Sequence, residues 1–183
     1  MYLNVMQIIR TLLSLALAVV LVAHTALGEG LTAVPDGLQA ELSLPDLHGE
    51  QRSLVEFRGQ VVLLSFWASW CTPCIQEMPS IQRLQQRLHG RPFAVLGVNV
   101  GERERRVQTV ARQLGLDFPV LLDRDSSEFK RWGGEVLPTS YVLDSAGAAR
   151  FVALGPLDWD AADVVDTLKA LLPPSPGVRA AQR

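Results

Sequence analysis

The run Val61-Val62-Leu63-Leu64-Ser65-Phe66-Trp67 is almost unbroken in apolar residues and rich in β-branched and aromatic ones. A half-buried strand alternates apolar with polar positions, so an unbroken run marks a strand covered on both faces at the centre of a sheet. Past Cys74 the period changes. Ile75, Met78, Ile81, Leu84 and Leu88 recur at steps of three and four, which lines one face of a helix, with Pro79 expected to kink it. Upstream, Leu42 to Leu47 and Gln51 to Leu54 flank the turn residues His48-Gly49, predicting a small leading hairpin.

The alternation continues with a strand over Phe93 to Asn99, a helix over Glu102 to Leu114, a short strand over Phe118 to Leu122, and a short helix opened by Asp125-Ser126-Ser127-Glu128. Strands separated by helical crossovers pair in parallel. Toward the end the order changes, because Ser140 to Leu143 and Arg150 to Leu154 are joined by the turn Asp144-Ser145-Ala146-Gly147, which predicts an antiparallel hairpin. A last helix is expected from Asp158, a good N-cap, through Val164, Val165, Leu168 and Leu172, and Pro173-Pro174 stops it. The fold class is α/β: a mixed central sheet with helices on both faces and a cysteine pair at the end of its central strand.

Length and composition add a domain count and an address. At 183 residues, 48% hydrophobic and 20% charged, the chain suits one globular core. Its first acidic residue is Glu29, and the cation Arg10 precedes an apolar run from Leu12 to Ala23. That is the layout of an export signal, and the small-residue exit Ala26-Leu27-Gly28 suits a signal peptidase. The uncharged stretch from Thr11 to Gly28 also nearly spans a bilayer core, which takes about 20 residues, so an uncleaved membrane anchor is the other reading. The organisation is then 1–28 signal peptide or anchor, 29–40 linker, 41–172 folded domain and 173–183 disordered tail. Seventeen Lys and Arg against nineteen Asp and Glu are too balanced for a nucleic-acid footprint. The cluster Glu102-Arg103-Glu104-Arg105-Arg106 mixes signs as a solvated helix face does.

The chain has two cysteines, Cys71 and Cys74, in a sequence bound for a place where disulfides form. A structural bridge gains little from so short a loop. A zinc site wants four ligands, and beyond the leading segment only His48 and His89 remain, without metal spacing. Redox exchange needs one sulfur to attack and a second close by to resolve the mixed disulfide, and C-x-x-C supplies both. If the helix starts at the motif, Cys71 lies at its N-terminus, where free N–H groups favour a thiolate, and Cys74 is shielded one turn inside. The intervening Thr72-Pro73 brings no cation to stabilise that thiolate further, which leans toward a reductant. The dithiol is its own redox centre, and no further cofactor and no metal are expected.

The segment Phe66-Trp67-Ala68-Ser69-Trp70-Cys71-Thr72-Pro73-Cys74 closely resembles the active-site segment of thioredoxin-fold proteins, and Pro79 matches as well. Val98-Asn99-Val100-Gly101-Glu102, Phe118-Pro119-Val120-Leu121-Leu122-Asp123 and Leu137-Pro138-Thr139-Ser140-Tyr141 resemble the TlpA/ResA-like branch, over about Leu42 to Leu172. The resemblance implies a thioredoxin-like sheet with an N-terminal β-hairpin and a central α/β insertion. It also implies a periplasmic or otherwise extracytoplasmic disulfide reductase, secreted or membrane-tethered, some relatives of which reduce apocytochrome c or copper-site cysteines. Its partners would be a disulfide-bearing client protein and a membrane electron donor. In the branch the proline matching Pro138 is cis and faces the disulfide.

Thioredoxin keeps a buried acid on the central strand where this chain has Ser65. Glu77, three residues beyond Cys74 and on the same helical face, is the candidate replacement for proton transfer, with an ordinary surface residue as the other reading. Trp70, Thr72, Pro73 and Pro138 are the expected substrate-contacting residues, while Glu135 reads as surface charge. Two other functions share the cysteine pair. A peroxiredoxin-like peroxidase would want Thr-x-x-Cys, but Ala68 stands three before Cys71. A Cu(I)-handling dithiol module would suit the soft thiolates, but the one methionine nearby, Met78, fits the helix core stripe.

Overall fold

The computed structural model describes residues 30–39 and 41–174, so the expected export segment and all but the start of the expected tail lie outside the described residues. The elements run β1 (Thr32–Gln39), β2 (Ser43–Pro45), β3 (Gln51–Ser53), a 3-10 turn (Leu54–Phe57), β4 (Val61–Trp67) and α1 (Thr72–Arg87). They continue with β5 (Phe93–Val100), α2 (Glu104–Leu114), β6 (Val120–Asp123), α3 (Ser127–Arg131), β7 (Thr139–Leu143), β8 (Ala148–Leu154) and α4 (Ala162–Leu171). The six-stranded sheet has the order β1-β8-β7-β4-β5-β6, and β2 and β3 form the expected separate hairpin.

β4 is central. It pairs in parallel with β5, from Val61↔Phe93 to Trp67↔Asn99, and antiparallel with β7, from Val62↔Leu143 to Phe66↔Thr139. β6 adds in parallel beyond β5, and β7 and β8 form the expected antiparallel hairpin. Every residue of β4 is buried, and successive side chains alternate between the two faces. Val61, Leu63 and Trp67 join Met78 and Ile81 of α1, Val107 of α2 and Leu168 of α4 in one core. Val62, Leu64 and Phe66 join Leu54, Trp132, Tyr141 and, from α3, Phe129 in the other. Ser65 shares the parity of Leu63 and Trp67, so the strand turns its one hydroxyl toward α1.

Three local expectations give way. The stretch read as a linker forms β1, an edge strand antiparallel to β8, with a register shift between Ala33 and Leu38. α2 begins at Glu104 instead of Glu102: Gly101, at φ 74°, turns the chain before the helix, in a backbone region that costs glycine little. α4 begins at Ala162, and the acids ahead of it serve as fasteners rather than caps. Arg83 Nε donates to Asp160 Oδ2 at 2.5 Å and Arg87 Nη1 to the Asp160 carbonyl at 2.8 Å, so the segment before α4 is tied to α1. Among the described residues no helix is long and apolar enough to cross a membrane.

Candidate active site

Beyond Trp67 the chain makes one tight turn, closed by the Cys71 N–H donating to the Ala68 carbonyl at 3.1 Å. α1 starts immediately afterwards, with Cys71 as its N-cap and Pro73 in its first turn, where a missing N–H costs nothing. The Cys71 Sγ accepts the Cys74 N–H at 3.3 Å. That donor and the positive end of a 16-residue helix are aimed at the sulfur that would carry negative charge on reduction. The two cysteines form a disulfide, with Cα atoms 5.3 Å apart. Cys71 retains 5% exposure and Cys74 none, so attack from outside reaches Cys71 first. Trp70 is 68% exposed and Thr72 is exposed, whereas Pro73 is half-buried.

The Leu137–Pro138 peptide is cis. Thr139, the next residue, pairs with Phe66, which places Pro138 beside the exit of β4 toward the cysteines. Pro138 itself is buried, and Val136 in the same loop is 51% exposed. The site is therefore built from two loops, each presenting one large apolar side chain to solvent. Sequence reasoning named Trp70 and missed Val136, because nothing in the pattern separates one exposed valine from a core one. Glu135 is exposed, as expected.

Glu77 is buried, with 4% exposure, which removes the surface reading. The Ser65 hydroxyl donates to its Oε1 at 3.4 Å, and the Leu157 N–H donates to its Oε2 at 3.2 Å. Burial strips water from the carboxylate and pushes its pKa from 4.5 up to about 7, against the Leu157 amide, the Trp159 indole and the Ser65 hydroxyl, which favour the charged form. Among the described residues the Trp159 Nε1 has no hydrogen-bond partner, so its influence is that of a nearby dipole and not of a formed bond. A cleft of about 320 Å³, lined by Glu77, Ser80, Arg83, Pro156 and Leu157, borders the carboxyl and gives its proton a way to solvent.

Glu102 is the residue that charge patterning misplaces. It is half-buried, and its carboxylate accepts the Ser69 N–H at 2.6 Å, the Ser69 hydroxyl at 2.6 Å and the Asn99 amide at 2.7 Å. Arg106 Nε in turn donates to the Ser69 hydroxyl at 2.9 Å. The cluster expected to be a solvated helix face thus sends two side chains onto the turn that precedes Cys71.

A larger cleft, of about 730 Å³, lies between the β2–β3 turn and β6, lined by residues such as Asp46, His48, Arg52, Arg112 and Phe118, and contains none of the site residues. The disulfide lies apart from this cleft, with only Cys71 of the pair retaining any exposure. Among the described residues no three His, Cys, Asp or Glu side chains cluster as a metal site.

Residues 37–152 match the model of the AhpC/TSA family. The thiol-disulfide oxidoreductase ResA of Geobacillus thermodenitrificans is 34% identical over 78% of this chain and 81% of its own. Among solved structures, a DsbF homologue from Corynebacterium diphtheriae superposes with a TM-score of 0.66 at 26% identity, covering 79% of this chain and 97% of that one. A secreted thiol-disulfide isomerase from Corynebacterium glutamicum gives 0.64 at 28% identity, covering 77% and 98%. The chain therefore belongs to the AhpC/TSA family, as a thiol-disulfide oxidoreductase of thioredoxin-like fold.

Proposed function

We propose that the protein works outside the cytoplasm as a reductase of protein disulfides, with Cys71 attacking, Cys74 resolving and Glu77 accepting the Cys74 proton. The Cys71 thiolate attacks one sulfur of a client disulfide, forming a mixed disulfide and releasing the other client sulfur as a thiolate. Cys74 then gives its proton to Glu77 and attacks the Cys71 sulfur. The Cys71–Cys74 bond forms, the second client sulfur leaves as a thiolate, and two electrons have passed to the client. A membrane electron-donor protein re-reduces the pair. Trp70, Thr72 and Pro73 form the docking surface, with the buried cis Pro138 beneath it, and apocytochrome c or copper-site cysteines are the client class the resemblance implies.

The observation that carries this reading is the buried Glu77, one helical turn beyond Cys74, with a pKa of about 7. A carboxyl poised there exchanges protons at working pH. Once ionised, its charge opposes a thiolate beside it, which favours the disulfide and makes the dithiol a better reductant. Export is supported by the Arg10 to Gly28 pattern and by similarity to a secreted isomerase. The test is Cys74→Ser, which leaves Cys71 free to attack but removes the resolving sulfur. Partners joined to that variant and released by dithiothreitol are expected; the same adducts on Cys71→Ser would remove the assignment.

A further inference from the structure

The turn that delivers Cys71 is held by a residue outside the cysteine segment. Its closing hydrogen bond, Cys71 N–H to the Ala68 carbonyl, encloses Ser69 and Trp70 as its two central residues. A turn of four residues leaving the end of a strand is held by that bond alone unless its central residues are tied down. Here Ser69 is tied twice, through its N–H and its hydroxyl, to the one carboxylate of Glu102, both at 2.6 Å. Hydrogen bonds to a charged acceptor are the strong ones. The carboxylate is itself fixed by the Asn99 amide at 2.7 Å, and Asn99 pairs with Trp67 at the end of β5. Trp70, next to this anchor, is 68% exposed, whereas Trp67, Trp132 and Trp159 are at most 5% exposed.

We infer that Glu102 is the positioning residue of the active-site turn, holding Ser69 so that Trp70 and Cys71 meet a client disulfide in one fixed arrangement; this rests on Cys71 being the attacking sulfur. The segment between β5 and β6 thereby acts on client recognition without touching the client. Pre-ordering lowers the entropy lost on docking, and its benefit falls on large clients that lean on Trp70. A small disulfide needs only the sulfur. Arg106, bonded to the Ser69 hydroxyl from α2, braces the same point from the solvent side.

Glu102→Gln tests this. It removes the charge and leaves one acceptor oxygen, so the NH2 can at best donate to the Ser69 hydroxyl and the charge-assisted double tie is lost while the side-chain size is kept. Ser69→Ala removes only the hydroxyl and serves if the first variant folds poorly. With dithiothreitol as reductant, KM for insulin disulfides should rise about tenfold in Glu102→Gln, the size of one charged hydrogen bond, and about threefold in Ser69→Ala. In both, kcat should hold, and turnover of oxidised glutathione should change less than about twofold. The double variant should lie within about twofold of Glu102→Gln, since both substitutions act on the same Ser69–Glu102 contact. The exposed indole is read separately: fluorescence anisotropy decay of the iodide-quenchable tryptophan should show faster local motion in both variants. A wild-type insulin KM, or wild-type indole motion, in either folded variant overturns the inference, even if the melting temperature falls. A wild-type protein that reduces neither substrate refutes the dithiol reading instead, and the anisotropy comparison still decides the anchor.

Discussion

The Ser65 hydroxyl meets the Glu77 carboxylate at 3.4 Å, joining the strand that leads into Cys71 to the helix that carries Cys74. Thioredoxin places its buried acid on the strand; here the strand supplies a hydrogen-bond donor and the helix supplies the acid. The buried acid thus stands one helical turn beyond Cys74, on the opposite element.

This arrangement has a consequence for stability. Glu77 has a folded pKa of about 7 against 4.5, so the fold binds its proton more tightly than the unfolded chain does. The favourable contribution is complete below pH 4.5 and is lost as pH rises toward 7, where the fold must bury a charge. Glu77→Gln should match wild type near pH 4 and exceed it by about 3 kcal/mol at pH 8. Urea unfolding of the oxidised forms across that range checks it; parallel curves for the two proteins would contradict the burial argument.

The same substitution should act on rate in the opposite sense. Without the carboxylate, resolution of the mixed disulfide should slow by about tenfold to 10²-fold above pH 7, at or below the usual range for a general base. Stopped-flow release of the second client thiol measures it. The wild-type rate should climb through pH 7 beyond what thiolate formation explains, and the variant should lose that component.

Cys71 and Cys74 should differ sharply in the reduced protein. With its sulfur at the start of α1, Cys71 should ionise below the usual free-cysteine value of about 8.5, and Cys74 should not. Iodoacetamide alkylation of each single-cysteine variant against pH tests this, and faster reaction at Cys74 near neutrality would reverse the roles.

Gly97 on β5 is set by close packing. A Cβ there would lie 3.0 Å from Phe118 Cε2 and 3.2 Å from Trp67 Nε1, and both rings are buried in the core beneath the active site. Gly97→Ala should destabilise by about 1–3 kcal/mol through overpacking, seen as a lower melting temperature of the oxidised protein. An unchanged midpoint would mean that the rings yield freely.

The elements that long apolar periodicity controls were legible in the sequence: β4 by its unbroken run, α1 by its three-four spacing, the β7–β8 hairpin by its turn. Short-range signals misled where a distant partner decides. Pro35 and Gly37 break any alternation in β1, yet β8 offers it an edge and a register shift between Ala33 and Leu38 absorbs the irregularity. Asp158 looks like a cap, but Arg83 and Arg87 on α1 hold the neighbouring Asp160 and the helix starts later. For Glu77, spacing from Cys74 gave the face of the helix and not its depth. Glu102 was opaque for a different reason: its partner Ser69 is thirty-three residues away, across a parallel crossover that no local charge pattern reports.

The direction of electron flow is the centre of the account. Thr72-Pro73 brings no cation to the Cys71 thiolate, and the Glu77 charge opposes a thiolate at Cys74, so the disulfide should be favoured over the dithiol. Equilibrating the protein with dithiothreitol and glutathione buffers at pH 7 and counting free thiols gives the potential directly. A value near the roughly −270 mV of thioredoxin is expected, and one near the roughly −120 mV of a strong oxidase would contradict the reductase assignment and make disulfide formation the better reading.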